Sequence, residues 1–187
     1  MPVRRYVTFL LGALLLLLAP AVRADSWTFA TLPANGNISG PPGSTIGWGY
    51  TITNQSTANW LVLTGISADV FQNATPDSSI FDFPILAPMG SLTVPYDPVL
   101  FAGLFQMTWD INAPIGFINS GNFVLSAEFW DNSPLAGGAF VSFGLDQSAP
   151  YSATVAAPVG VVPEPATLVL TASGLAGLAL RRRRAAD

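Results

Sequence analysis

Three stretches in the middle of the chain alternate large apolar residues with small or polar ones. In Ile46-Gly47-Trp48-Gly49-Tyr50-Thr51-Ile52-Thr53 the partners are glycine and threonine. Phe105, Met107, Trp109 and Ile111 alternate with Gln106, Thr108 and Asp110; Phe123, Leu125, Ala127 and Phe129 alternate with Val124, Ser126, Glu128 and Trp130. Successive side chains on a strand point to opposite faces, so each stretch predicts a half-buried β-strand. Weaker versions of the pattern cover Trp27–Thr31, Trp60–Val70, Leu92–Tyr96, Ala139–Leu145 and Tyr151–Val155. Breakers separate them: Gly40-Pro41-Pro42-Gly43, Asn54–Asn59, Thr75–Ser79, and Asp131-Asn132-Ser133-Pro134 with Gly137-Gly138. Helical periodicity is missing from this region. About eight strands joined by polar turns predict an all-β fold, an antiparallel two-sheet β-sandwich.

The two ends carry uninterrupted apolar runs instead, Val7–Ala21 and Ala166–Leu180, which account for much of the high mean hydropathy of +0.47. Arg4 and Arg5 precede the first run, and Val22-Arg23-Ala24 follows it. A basic start, an apolar core and a small-residue site make residues 1–24 a secretory signal peptide, cut by signal peptidase between Ala24 and Asp25. An uncleaved anchor is the competing reading; the short run and the processing site directly after it favour cleavage.

At the other end Val162-Pro163-Glu164-Pro165 leads into fifteen uncharged residues, 166–180, and then Arg181, Arg182, Arg183 and Arg184. As a transmembrane helix that run would span about 22 Å, short of the roughly 30 Å hydrocarbon core, and Thr171, Ser173, Gly174 and Gly177 weaken it further. The four arginines form a cytoplasmic stop by the positive-inside rule. With Arg4 and Arg5 holding the other end inside as well, the precursor is a hairpin with its middle exported. That middle divides into a β-sandwich ectodomain, 25–155, and a short stem, 156–162, rich in alanine, proline and glycine.

The three-part tail, 163–187 with Val162 leading in, closely resembles the PEP-CTERM sorting signal. The resemblance implies that the membrane protease/transpeptidase exosortase recognises Val162, Pro163, Glu164 and Pro165 as substrate. It further implies a Gram-negative, polysaccharide-producing bacterium and delivery to the cell surface or extracellular matrix. Two prolines around one glutamate suit the role physically, because they keep the tetrapeptide out of helix and sheet. A related C-terminal segment occurs on some ice-binding proteins. Within the middle, Pro41-Pro42-Gly43-Ser44-Thr45 running into Tyr50–Asn54 resembles the opening of bacterial immunoglobulin-like surface modules.

Charge sharpens the picture. All seven basic residues lie at the ends, so Asp25–Val162 contains none, against nine carboxylates and a formal charge of −9. Nucleic-acid binding needs cations to neutralise phosphates and is excluded on that ground. The chain also has no histidine and no cysteine, which removes the usual nucleophilic triads, thiol chemistry and His/Cys zinc sites. Carboxylate chemistry, calcium bound through oxygen, or no chemistry remain.

Five tryptophans, eleven phenylalanines and three tyrosines fall between Asp25 and Val162. Aromatic rings on an exposed sheet face can stack on sugars; buried, the same rings fill a cysteine-free core. Trp60, Trp109 and Trp130 are the candidate carbohydrate contacts. Trp130 is the strongest, because it shares the face of Val124, Ser126 and Glu128, whereas Trp48 and Trp109 lie on apolar faces and read as core. A glycosidase would need a pair of carboxylates, and Asp110 with Glu128 is the available pair if their strands are neighbours. Asp131, Asn132 and Asp110 are weak calcium candidates in acid-rich turns, alongside Asp77-Ser78-Ser79; no spaced EF-hand loop is present. The expected function is a non-catalytic structural or adhesive surface protein associated with exopolysaccharide and the biofilm matrix. A carbohydrate-binding module, an ice-binding module and a glycoside hydrolase are the alternatives. Ice binding is disfavoured, since Thr51 and Thr53 form an isolated pair with no repeated ladder.

Overall fold

The computed structural model describes residues 25–158. The signal peptide, the stem beyond residue 158, Val162–Pro165, the proposed helix 166–180 and Arg181–Arg184 lie outside the described residues. Within them the chain is all-β, with eleven strands: β1 Trp27–Leu32, β2 Asn37–Gly40, β3 Thr45–Asn54, β4 Trp60–Ala68, β5 Ala74–Asp77, β6 Ile85–Leu86, β7 Ser91–Val94, β8 Phe105–Trp109, β9 Ile118–Trp130, β10 Phe140–Phe143 and β11 Gln147–Val155. All eight strands expected from the alternation are present. The other three, β2, β5 and β6, have four, four and two residues and are set among glycines, prolines and asparagines that read as turns. β5 falls partly on Thr75–Ser79, read from sequence as a breaker; Ala74–Asp77 pairs with Gln106–Trp109 at a sheet edge, where a proline is tolerated. Among the described residues no helix is long and apolar enough to cross a membrane.

Two sheets face each other. The first has five strands in the order β1-β3-β8-β5, with β7 also on β3; the second has six in the order β2-β11-β9-β4-β6, with β10 also on β9. Pairing is antiparallel except for β11 with β2, where Ser152–Val155 run parallel to Asn37–Gly40. The antiparallel two-sheet sandwich expected from the sequence is present, with this one parallel pair added. β2 leaves the first sheet after β1, crosses to the second and lies along the last strand of the domain, and that crossing sets its direction.

The core lies between the sheets. Trp48 is fully buried on β3, edge-on to Phe123 at 5.0 Å and to Tyr151 at 5.4 Å between ring centroids. Its indole Nε1 donates to the carbonyl of Gly36 at 2.7 Å, so the polar end of this core side chain is satisfied. Phe71 stacks on both Phe105 and Tyr151 and closes one end of this aromatic cluster. Asn54 is buried at the end of β3 and donates to the carbonyls of Asn59 in the β3–β4 turn and of Leu86 and Ala87 at the end of β6. Asp25, the first residue after the predicted signal cleavage, accepts from Ser56 Oγ at 2.5 Å and from Asn59 Nδ2 at 2.7 Å. The start of the described chain is therefore tied to the β3–β4 turn.

The glycines that alternate along β3 have a packing cause. Pro95 and Tyr96, following β7, lie directly over Gly49, where a Cβ would meet the Val94 carbonyl oxygen at 2.4 Å and Pro95 Cα at 2.8 Å. Elsewhere the outer face of the first sheet is covered with hydroxyls. Thr51 pairs with Thr93, Thr53 with Ser91 and Thr45 with Thr108, each pair within 3.0 Å. These cross-strand bonds, together with Gln106 donating to Asp77 at the β5 edge, give the face its polar cover.

Candidate aromatic face of the second sheet

β9 is the central strand of the second sheet, and its alternation sorts its side chains cleanly. Phe123, Leu125, Ala127 and Phe129 are buried between the sheets, while Val124, Ser126, Glu128 and Trp130 are half-buried on the outer face. Trp60 at the start of β4 is directly opposite Trp130, and Val62 is opposite Glu128. Ile85 of β6 pairs with Val62 and continues the row. On the other side of β9, Phe140 is opposite Trp130 and Phe143 is opposite Glu128. Two tryptophans, two phenylalanines, a valine and an isoleucine thus share one outer face around a single carboxylate.

Local geometry holds the face together. Trp130 and Phe140 meet edge to face at 6.4 Å, and Phe140 meets Phe143 at 5.0 Å. The Trp130 indole Nε1 donates to Glu128 Oε2 at 3.0 Å, tying the carboxylate to the ring. Phe143 and Leu145 are 78% and 84% exposed, an apolar edge that soluble domains normally cover or charge.

Two of the three sequence candidates therefore come together, and the third does not. Trp109 is only 1% exposed and faces the core from β8, edge-on to Phe117 at 6.4 Å. It is corrected from contact residue to core residue, as its apolar strand face implied. Phe140 and Phe143 escape sequence reasoning because they are three residues apart, a spacing that a regular strand sends to opposite faces. A bulge between Phe140 and Ser142 shifts the register and returns both to the outer face. Their sequence signal is the apolar Phe140-Val141-Ser142-Phe143 run between Gly138 and Gly144, with no core period.

The acidic candidates separate. Asp110 follows β8 in the first sheet, whereas β9 is bordered by β4, β10 and β11, so the strands of Asp110 and Glu128 are not neighbours. The proposed catalytic pair is corrected accordingly. Asp131 Oδ1 accepts from the Ala139 amide at 2.7 Å and Asn132 Oδ1 from the Ser133 amide at 2.8 Å, bonds that shape the β9–β10 loop. Asp77 accepts from Gln106 Nε2 and the Ser79 amide, both at 2.8 Å, and the Gln106 bond foremost holds its carboxyl below the usual range. Among the described residues no three acidic side chains gather as metal ligands.

The tail decides the protein's address. Residues 161–184 match the PEP-CTERM protein-sorting motif. This chain carries that sorting signal. A PEP-CTERM protein is exported, held in the membrane as a precursor, processed by exosortase and sorted to the cell surface. No curated protein matches the sequence. Among solved structures, an ASH/PapD-like domain of human CEP192 is similar at 8% identity, covering 75% of this chain and 92% of that one, with a TM-score of 0.36. A non-cellulosomal cohesin from the hyperthermophilic archaeon Archaeoglobus fulgidus is similar at 17% identity, covering 69% and 91%, with a TM-score of 0.26.

Proposed function

We propose that this PEP-CTERM protein is a non-catalytic module of a Gram-negative cell surface or extracellular matrix, and that its sandwich holds exopolysaccharide on the outer face of the second sheet. One observation carries the reading: Trp60 and Trp130 are opposite each other on that face, joined by Phe140 and Phe143 and crossed by Glu128. Aromatic planes supply stacking area for sugar rings, and a carboxylate beside them accepts hydrogen bonds from hydroxyls. Polymer binding suits an extended open face better than a closed pocket, because successive sugars can add small contacts. A glycoside hydrolase would need a second carboxylate opposed to Glu128, and Asp110 belongs to the other sheet.

Binding is tested by affinity electrophoresis of the full chain, held in zwitterionic nanodiscs, through gels containing the host exopolysaccharide. Retardation that Trp130→Ala abolishes is the expected result; unchanged mobility of the parent protein rejects the binding role. Sorting has a separate test. Replacing Pro163, Glu164 and Pro165 with alanine should leave unprocessed precursor in the inner membrane, and normal processing of that variant rejects exosortase recognition through these residues.

A further inference from the structure

We propose, building on the glycan reading above, that the preferred ligand of this face is a sugar polymer carrying free protonated amines, such as a partly de-N-acetylated amino-sugar polymer. Glu128 is the only glutamate between Asp25 and Val162, and it is half-buried in the middle of an aromatic and aliphatic face. At that position the surrounding rings offer the carboxylate one hydrogen bond and no opposite charge. Oε2 is held by the Trp130 indole at 3.0 Å, while Oε1 has no hydrogen-bond partner among the described residues. The described residues contain no cationic side chain that could pair with it.

A fixed carboxylate next to tryptophan and phenylalanine rings recognises an ammonium group by two attractions, charge-assisted hydrogen bonding and cation–π contact. A neutral sugar supplies only hydroxyls to Oε1. A uronic-acid or sulfated polymer meets Glu128 without a compensating cation, and further acids follow β9 (Asp131) and precede β11 (Asp146) in the same sheet. At physiological salt, charges within about 8 Å still repel, so the face discriminates against polyanions. The sugar ring stacks on the aromatic side chains and its amine meets Oε1.

The test uses the full chain in zwitterionic nanodiscs and three soluble polymers: glycol chitosan, the same polymer fully N-acetylated, and alginate. The aminated polymer should bind about tenfold to a hundredfold more tightly than its acetylated form, as one charged hydrogen bond implies, and alginate should bind least. Glu128→Gln should erase the preference for amine while keeping residual binding of the acetylated polymer. Asp110→Asn, which removes one charge from the other sheet, should change neither. Equal affinity for aminated and acetylated polymers overturns the amine claim. An equal loss in Asp110→Asn and Glu128→Gln also overturns it, because the attraction is then a diffuse one between polycation and acidic domain. Alginate binding as tightly as glycol chitosan does the same. If Trp130→Ala leaves binding of both chitosan forms intact, or none of the polymers nor the host exopolysaccharide binds, the glycan reading itself falls. Should Glu128→Gln fail to fold, the comparison of acetylated with aminated polymer on the parent protein still decides the claim.

Discussion

Trp109 and Trp130 both end or nearly end long alternating stretches, yet truncating them to alanine should have opposite consequences. Trp109 is 1% exposed and packs edge-on against Phe117. Removing a buried tryptophan ring costs about 3–5 kcal/mol in lost transfer energy and residual cavity. Part of that is offset, because Trp109 Nε1 is buried with no partner among the described residues, and truncation removes an orphan donor worth about 1 kcal/mol or more. The net loss is about 3 kcal/mol, a large fraction of the roughly 5–15 kcal/mol that keeps such a domain folded. With a urea m-value of about 1–3 kcal/mol/M, the midpoint should fall by about 1–3 M. Trp130→Ala touches only the outer face and should change stability by less than about 1 kcal/mol. The assay is urea unfolding of residues 25–158 followed by far-UV circular dichroism, since fluorescence would change with the tryptophan count. That fragment contains every member of the buried core cluster. A Trp109→Ala cost under about 1 kcal/mol, or a Trp130→Ala cost as large as that of Trp109→Ala, would falsify the assignment of one ring to the core and the other to the binding face.

Gly49→Ala would drive a Cβ to 2.4 Å from the Val94 carbonyl oxygen; because the obstacle is backbone, the variant should lose about 2–3 kcal/mol in the same assay, and a loss below about 0.5 kcal/mol would show that the β7–β8 connection moves freely. Alkaline pH should destabilise the domain from about pH 10 upward. Burial first, then the charge of Asp69, pushes Tyr151 up from 10.0 to about 12, and burial with the Asp82 hydrogen bond raises Tyr50 further. The unfolded chain therefore releases protons that the folded chain retains, so stability falls as pH rises through that window. Tyr151→Phe should reduce that slope between pH 10 and pH 12 and leave the part due to Tyr50; an unchanged slope refutes the cause. Calcium should leave the melting temperature unchanged, since Asp131 and Asn132 already accept main-chain amides, and a rise with calcium would show that the β9–β10 loop rearranges around the ion.

Much of the candidate face was legible in the strands themselves. Within β9 the alternation put Trp130 with Glu128 and against Phe129, and within β8 it put Trp109 with Phe105 and Met107. Both assignments agree with the observed burial. The isolated Thr51/Thr53 pair gained lateral partners, Thr93 and Ser91, from β7, a strand whose pairing partner no local pattern specifies. The short strands β2, β5 and β6 were illegible because they are set among turn residues, Gly36 and Gly40, Pro76, and Pro84 and Pro88, and they form only where a longer strand offers its edge.

What the sequence by itself determined is the address and the strand faces. A sorting signal is read by enzymes as a linear peptide next to an apolar run, so its information is complete in residues 161–184. Alternation likewise settles which residues share a face of one strand, since the backbone turns each side chain by a fixed angle. The tertiary structure decided which strands became neighbours. It put Trp60 opposite Trp130, sent Asp110 and Glu128 to different sheets, ran β2 parallel to β11 and, through one bulge, turned Phe140 and Phe143 to the same side. Those outcomes depend on contacts between residues far apart in the chain, where register and crossing are fixed by the joint packing of two sheets around Trp48.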